Sequence, residues 1–320
     1  SSPSRRFRPV TDLCEDLQAG RPPGPTAVTF GVFDGVHLGH QHLMRALREA
    51  ADTRGLTPVV VTLTNHPLSV LRPGLPVVLL SSLRERTELL HELGIQHVIA
   101  FTFTVEISHP TPDVFMRLLC DCLGVRHMVV GPDFAIGRDR EGTLPVLTTL
   151  GTELGYSVEV ASNFELAGTS VRSSSVRKAL AAGDLTTVER FLGRRFALDG
   201  PVVEGEGRGG GLLGFPTANV GVGPLQALPA DGIYATWLTA DGQRYASATS
   251  VGIKPTFHDD APRVVESFII DYDGDLYGEH VRVEFVERLR DQEKFSTVEA
   301  LSTQIARDVE ATRAILDRDE

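Results

Sequence analysis

Two histidines three residues apart, His37 and His40, stand just after an apolar, β-branched run. The stretch reads Val28-Thr29-Phe30-Gly31-Val32-Phe33-Asp34-Gly35-Val36-His37-Leu38-Gly39-His40. Two imidazoles at the mouth of a helix can face one ligand, and each can donate to a phosphate oxygen without a permanent charge. Attack by a phosphate on the α-phosphorus of a nucleoside triphosphate needs such donors, because charge builds on the equatorial and leaving oxygens. A second chemical group is Glu266, in Val265-Glu266-Ser267-Phe268-Ile269-Ile270-Asp271. A carboxylate in an otherwise apolar strand has to be explained by its task.

The elements that must position the histidines are legible around them. The run before them predicts a buried strand ending at Val32 or Phe33. Gly35 and Gly39 then free the backbone. Leu38, Leu43, Ala46, Leu47 and Ala50 follow at helical spacing. Strand, glycine-bearing turn and helix together aim backbone N–H groups at a phosphate. Strands over 58–63, 97–101, 127–130 and 156–160 alternate with helices over 83–93, 112–123 and 144–154. That alternation predicts a doubly wound parallel sheet, with ligands beyond the carboxyl ends of the strands.

Two further segments fall at such ends. Gly131-Pro132-Asp133-Phe134-Ala135-Ile136-Gly137-Arg138 follows its strand directly. Asp133 either orients a substrate hydroxyl or water, or simply sits in a tight turn. Arg138 and Arg140 either meet phosphate or are solvated. In Val171-Arg172-Ser173-Ser174-Ser175-Val176-Arg177-Lys178 the serines predict a helix N-cap. Hydroxyls, N–H groups and Arg177 would make a pocket for triphosphate oxygens.

From residue 195 the pattern turns to β. Runs at 196–203, 232–238, 245–251, 264–270 and 281–285 are separated by Gly, Pro and Asp turns. Their even spacing predicts a closed antiparallel barrel. Residues 297–316 then carry Val298, Leu301, Ile305, Val309 and Ile315 at helical spacing, as one amphipathic helix packed on the barrel. Short helices over 180–192 mark the join, giving domains 1–187 and 188–320. Between the first two β runs, Glu204-Gly205-Glu206-Gly207-Arg208-Gly209-Gly210-Gly211 cannot be a regular strand. So many glycines let N–H groups turn toward an anion.

The bulk composition narrows the class. The chain has 320 residues, 42% hydrophobic, with a net charge of −11. That balance argues against a general nucleic-acid binder, and no apolar run is long enough to cross a bilayer. Ser1 to Arg8 reads as a frayed tail rather than a secretory signal. Cys14, Cys120 and Cys122 are too few, and odd in number, for a disulfide framework. Cys120-Asp121-Cys122 predicts core or helix-surface thiols rather than a metal site. A reducing cytoplasm fits.

These motifs resemble a known family. The first stretch resembles the HxGH signature of nucleotidyltransferases in the longer form G-x-F-D-G-x-H-x-G-H. The Gly131 loop is similar to the G-x-D/N-F-x-F-G loop of bacterial FAD synthetases, and Arg172 to Arg177 resembles their I-S-S-T-x-I-R motif. Gly214-Phe215-Pro216-Thr217-Ala218-Asn219 resembles the G-F-P-T-A-N signature of riboflavin kinases and is intact. Taken in order, they resemble the prokaryotic bifunctional riboflavin kinase and FMN adenylyltransferase over nearly the whole chain.

The resemblance implies an N-terminal nucleotidyltransferase domain that moves AMP from ATP to FMN, giving FAD, and a C-terminal riboflavin kinase barrel. It implies that His37 and His40 hold the triphosphate, with Gly31, Phe33, Asp34 and Gly39 lining the nucleotide. Ser173, Ser174 and Arg177 would bind phosphates, and Asp133 would sit near the reacting centre. In the kinase half it implies Mg²⁺ on the Thr217 hydroxyl and the Asn219 carbonyl. Glu266 would be the base for the riboflavin 5′-hydroxyl. Gly205, Gly207, Arg208 and Phe215 would lie along the nucleotide, and Arg290 and Phe295 beside the flavin. Implied partners are riboflavin, FMN and ATP, with no nucleic acid, no membrane and at most a weak homo-oligomer.

The chain departs from the pattern in places. Leu63-Thr64-Asn65-His66-Pro67 stands where F-D-P-H-P is usual. Arg172 replaces a small residue, and Ser174 a Thr. These motivate an alternative: a kinase whose first domain is non-catalytic or altered in specificity.

Overall fold

Apolar runs without polar alternation need cover on both faces, and the first half of the chain supplies it. The computed structural model of the protein describes residues 10–75, 77–204, 217–253 and 263–319. The first half runs α1 (Val10–Ala19), β1 (Thr26–Gly31), α2 (Leu38–Arg54), β2 (Thr57–Leu63), α3 (Pro67–Leu71), α4 (Leu83–Glu92), β3 (His97–Phe101), α5 (Val105–Ser108), α6 (Pro112–Leu123), β4 (Val125–Val130), α7 (Leu144–Leu154) and β5 (Ser157–Val160). The strands form a parallel sheet in the order β3-β2-β1-β4-β5. β6 (Glu165–Leu166) and β7 (Thr169–Ser170) make a short hairpin after it.

The sheet has a core on each face, as a doubly wound fold requires. On one side Leu13 and Leu17 of α1, Phe115, Met116 and Leu119 of α6 and Leu147 of α7 pack on Val28, Val61 and Met128. On the other, Met44, Leu47 and Ala51 of α2 and Leu90 of α4 pack on Ala27, Val60 and Val129. Each fully buried side chain of the size of Leu47 or Met44 contributes roughly 1.5–3 kcal/mol.

One sequence expectation is corrected here. Cys14 and Cys122 form a disulfide, with Cα atoms 5.6 Å apart. A count of cysteines could not show that α1 lies along α6 in one apolar cluster, which brings the two positions within bridging range. The reducing compartment therefore loses the support it drew from unpaired thiols. Cys120 stays a thiol, and burial, then the charge of Asp121, push its pKa up to about 11. Among the described residues no helix is long and apolar enough to cross a membrane.

The chain divides into two compact units, Ser1–Leu79 with Leu83–Val171, and Leu80–Ser82 with Arg172–Glu320. By contacts the second unit takes in α8 (Ser173–Ala181) and α9 (Leu185–Leu192), elements the sequence reading sets before or across a join at 187/188. It continues as β8 (Ala197–Val203), β9 (Thr217–Val220), β10 (Gly232–Ala240), β11 (Gln243–Ile253), β12 (Arg263–Ile269), β13 (His280–Arg290) and α10 (Val298–Leu316). The six strands close into an antiparallel barrel, β10-β11-β12-β9-β8-β13.

Inside the barrel Tyr234 meets Phe285 edge-on at 5.3 Å, above Leu238, Val251 and Val283. Four fully buried hydroxyls cross the same interior. Ser247, Thr236, Thr249 and Ser267 are joined in that order at 2.7 Å each, so none is left unpartnered. Outside, α10 packs Leu316 on Ala235 and Trp237.

The end of α10 is pinned by charge. Arg195 donates two hydrogen bonds to the Asp319 carboxylate, and the Trp237 indole donates a third at 2.9 Å. Hydrogen bonding from Arg195, helped by Trp237 and opposed by partial burial, holds the Asp319 carboxyl below the usual aspartate range. A carboxyl depressed in the folded state stabilises the fold above its unfolded pKa, and that contribution is lost as pH falls through the folded value. The clamp should therefore weaken only below about pH 4. Fluorescence of Trp237, the chain's single tryptophan, reads this directly. Asp319→Asn is expected to remove that acid limb, and a variant that keeps it unchanged would contradict the clamp.

Candidate functional sites

β1 and β4 are neighbours at the middle of the sheet, where the strand order reverses direction. A crevice beyond their carboxyl ends is where such sheets bind ligands. The strand stops at Gly31, earlier than the expected Val32 or Phe33. Phe33 and Val36 adopt left-handed φ of 51° and 41°, and Gly35 lies between them at 78°. Two non-glycine residues held there are strained, the second of them β-branched, and such strain persists only where the surroundings enforce it.

The turn delivers both histidines to the start of α2. His37 is the N-cap, and its Nδ1 accepts the His40 backbone N–H at 3.4 Å. That acceptor role puts the ring proton on Nε2, leaving it as the donor. His40 stacks on His37 at 3.6 Å and meets Phe33 edge-on at 5.3 Å. Its Nδ1 is buried without a hydrogen-bond partner among the described residues. Burial, then His37, then Arg86 hold the His40 pKa well below the usual histidine range. The ring is therefore neutral at physiological pH and keeps one N–H that can donate to a phosphate oxygen. A side chain at Gly39 would be tight, since a Cβ would lie 3.1 Å from the Val171 carbonyl and 3.2 Å from the His37 ring. At Gly31 a Cβ would lie 3.0 Å from the Phe33 ring, and Asp34 is buried beneath the turn.

The loop after β4 leaves from the same end of the sheet. Asp133 is exposed in its turn, where Arg140 donates to its backbone carbonyl at 2.9 Å. With Phe134, Thr143 and Leu144 it borders a cleft of roughly 340 Å³. Arg138 pairs with Glu141 at 3.3 Å. Asn65, one of the departures, has a structural explanation. Its side-chain amide donates to the Phe103 carbonyl at 2.9 Å and accepts the Phe103 N–H at 2.8 Å. It thereby continues the β2–β3 pairing one step past the strands.

Ser173, Ser174 and Arg177 lie on α8, counted with the second unit. The expected serine cap is corrected: the N-cap is Arg172 and makes no side-chain cap bond. Arg172 is extended, at φ −134° and ψ 150°, so Ser173 is already the first helical residue.

The second site lies on the barrel wall. β9 alternates, burying Ala218 and Val220 and turning Thr217 and Asn219 the other way. Across the ladder Asn219 faces Glu266, and Thr217 faces Phe268. The Thr217 hydroxyl donates to Glu266 Oε1 at 2.9 Å. On the other flank Ser250 of β11 faces Glu266 and accepts from Gln292 Nε2 at 3.0 Å. Three of the expected residues are thus gathered on one face. Thr217 and Asn219 also line a cleft of roughly 270 Å³ with Glu204, Tyr272, Asp275 and Tyr277.

Arg290 is held at the end of β13. Its Nε and Nη2 donate to the buried Asp308 of α10, the closest contact being 2.7 Å, and its guanidinium lies 5.9 Å from the Phe295 ring centre. Gly205, Gly207, Arg208 and Phe215 lie outside the described residues. Sequence reasoning passed over Ser250, Gln292 and Tyr272. Tyr272 has a signal, an aromatic residue in an Asp- and Gly-rich turn. Ser250 and Gln292 are legible only from strand register.

The donor set at Thr217 and Asn219 is all oxygen. A hydroxyl that donates its proton to Glu266 keeps its lone pairs for a cation. Among the described residues no cluster of three or more His, Cys, Asp or Glu could hold a metal by itself. A hard ion sharing few protein oxygens with a polyphosphate fits these residues.

Both halves of the chain match known families. The family described as FAD synthetase matches residues 21–175, and that described as riboflavin kinase matches residues 192–316. The bifunctional riboflavin kinase/FMN adenylyltransferase of Pseudomonas fluorescens is 37% identical, over 90% of this chain and 92% of its own. The protein of that name from Escherichia coli K12 is 34% identical, over 94% and 95%. A crystal structure described as a macrolide-efflux protein from Streptococcus pneumoniae shares the fold, with a TM-score of 0.81 and 30% identity over 91% of this chain and 95% of that one. With both halves matched and relatives covered over nearly their whole length, the chain belongs to the family of bifunctional riboflavin kinase/FMN adenylyltransferases.

Proposed function

We propose that the C-terminal barrel phosphorylates riboflavin with ATP and that the N-terminal α/β domain adenylylates the FMN produced, with the functional boundary near 187/188. One observation carries the kinase reading: Thr217, Asn219 and Glu266 share one face, with Thr217 bonded to Glu266 at 2.9 Å. Glu266 takes the proton of the riboflavin 5′-hydroxyl. That oxygen bonds to the γ-phosphorus while the bond to the β–γ bridging oxygen breaks, giving FMN and ADP. Magnesium, when bound, screens the phosphate charge, and Thr217 Oγ1 and the Asn219 side-chain carbonyl are the atoms that would hold it. The Arg290–Asp308 pair fixes the end of the β13 strand before Phe295, which we assign to the flavin ring.

In the N-terminal domain a phosphate oxygen of FMN attacks the α-phosphorus of ATP. The bond to the α–β bridging oxygen breaks and pyrophosphate leaves. His37 donates from Nε2, and the neutral His40 ring supplies a second polar contact to the phosphates. We assign Ser173, Ser174 and Arg177 to phosphate binding, and Asp133 to the neighbourhood of the reacting centre, on the family resemblance. The partners are small molecules, and a chain with a net charge of −11 is poorly suited to bind nucleic acid.

Purified protein given ATP, Mg²⁺ and riboflavin is expected to yield FMN and then FAD by chromatography. Absence of FMN sinks the kinase assignment. FMN that never becomes FAD leaves the kinase alone and favours the alternative.

A further inference from the structure

We propose that Arg86 is a positioning residue for adenylyl transfer, tying the end of β2 to the strained turn that presents His37 and His40. The inference rests on the adenylyltransferase reading above. Arginine is almost never fully buried, because its charge must be taken out of water. Arg86, on α4, is 0% exposed. Its Nη1 donates to the Leu63 carbonyl at 2.7 Å and to Thr62 Oγ1 at 3.4 Å. Thr62 Oγ1 passes its own proton to the Val32 carbonyl at 3.1 Å. Val32 is the last residue before the turn. The relay therefore runs from α4 through β2 into the backbone that leads to the histidines.

Charge follows the same line. Asp34 and Glu85 are 2% and 4% exposed, and after burial their charges are the ones that act most on Arg86. A left-handed valine and phenylalanine cost energy that local bonding must offset. Buried opposite charges, one on the helix and one in the turn, supply that restraint. The charged and titratable groups that act on His40 are His37 on the turn and Arg86 on α4. Arg86 adds, after burial and His37, to keeping that ring neutral.

The test uses the full chain, whose riboflavin phosphorylation serves as an internal control. Arg86→Lys keeps the charge but replaces the guanidinium whose Nη1 makes both bonds, and Thr62→Val removes the relay while nearly keeping volume. Each is expected to lower kcat for FMN to FAD by about 10–100-fold, the scale of an ångström's misplacement, with KM for FMN and ATP little changed. Riboflavin phosphorylation should be unaffected. Arg86→Met should also raise the His40 titration midpoint seen by NMR, a readout that a merely structural role would not move. If Arg86→Met loses the N-terminal fold, the other two variants decide. Wild-type kcat in both Arg86→Lys and Thr62→Val overturns the proposal. Failure of the unmodified chain to convert added FMN instead overturns the reading beneath it.

Discussion

Glu266→Gln is expected to lower riboflavin phosphorylation by about 10²–10⁴-fold, the usual worth of a general base. The substitution is chosen because it removes the base and little else. Glutamine keeps the length of the side chain, and its Oε1 still accepts from the Thr217 hydroxyl, which bonds Glu266 Oε1 at 2.9 Å. The strand register that sets Asn219 and Ser250 beside position 266 is made by the backbone and is untouched. KM for ATP should therefore hold while kcat falls. The same variant should still turn added FMN into FAD, because the histidine pair assigned to that reaction lies in the other compact unit. Quantifying FMN by chromatography in single turnover separates chemistry from product release. A kcat within about threefold of the unmodified chain would remove Glu266 from the role of base.

How far each site could be read in advance follows from how local its determinants are. The strand–turn–helix around His37 is a contiguous stretch, so residue types and spacing sufficed to read it. Its strain was not legible, because Phe33 and Val36 carry no mark of left-handed φ. Arg86 was invisible for a different reason. It is one of several charged residues in Leu83–Glu92, and only packing makes it, together with Glu85, buried. The barrel strands were found by composition, yet β9 was read as a motif and not as a strand, since four residues make too short a run. Its pairing with β12 brings residues 217 and 266 together across a separation that sequence order cannot bridge. Cys14 and Cys122 fail the same way, being 108 residues apart and joined only by helix packing.

His37→Asn should lower FMN adenylylation by about 10²–10³-fold, the cost of removing one donor to a developing oxyanion. Asparagine can still cap α2, because its side-chain oxygen accepts a backbone N–H as the His37 Nδ1 does now. What it cannot do is reach outward with an N–H from the position of Nε2. Helix stability and catalysis are thereby separated. Thermal unfolding should move little, riboflavin phosphorylation should stay, and FAD formation should fall. The pH dependence supplies a second check through His40, whose pKa is held well below the usual value by burial, then by His37. A base with a depressed folded pKa stays neutral as pH falls past the usual histidine value of about 6.5. Its contribution is therefore present above that pH and is lost only on further acidification, and its NMR signal should be flat from pH 8 to about 6. In His37→Asn the opposing ring is gone, so the His40 midpoint should rise. An adenylylation rate unchanged in His37→Asn, with a His40 signal that already titrates near pH 6.5 in the unmodified protein, would leave the stacked pair without its assigned part in the reaction.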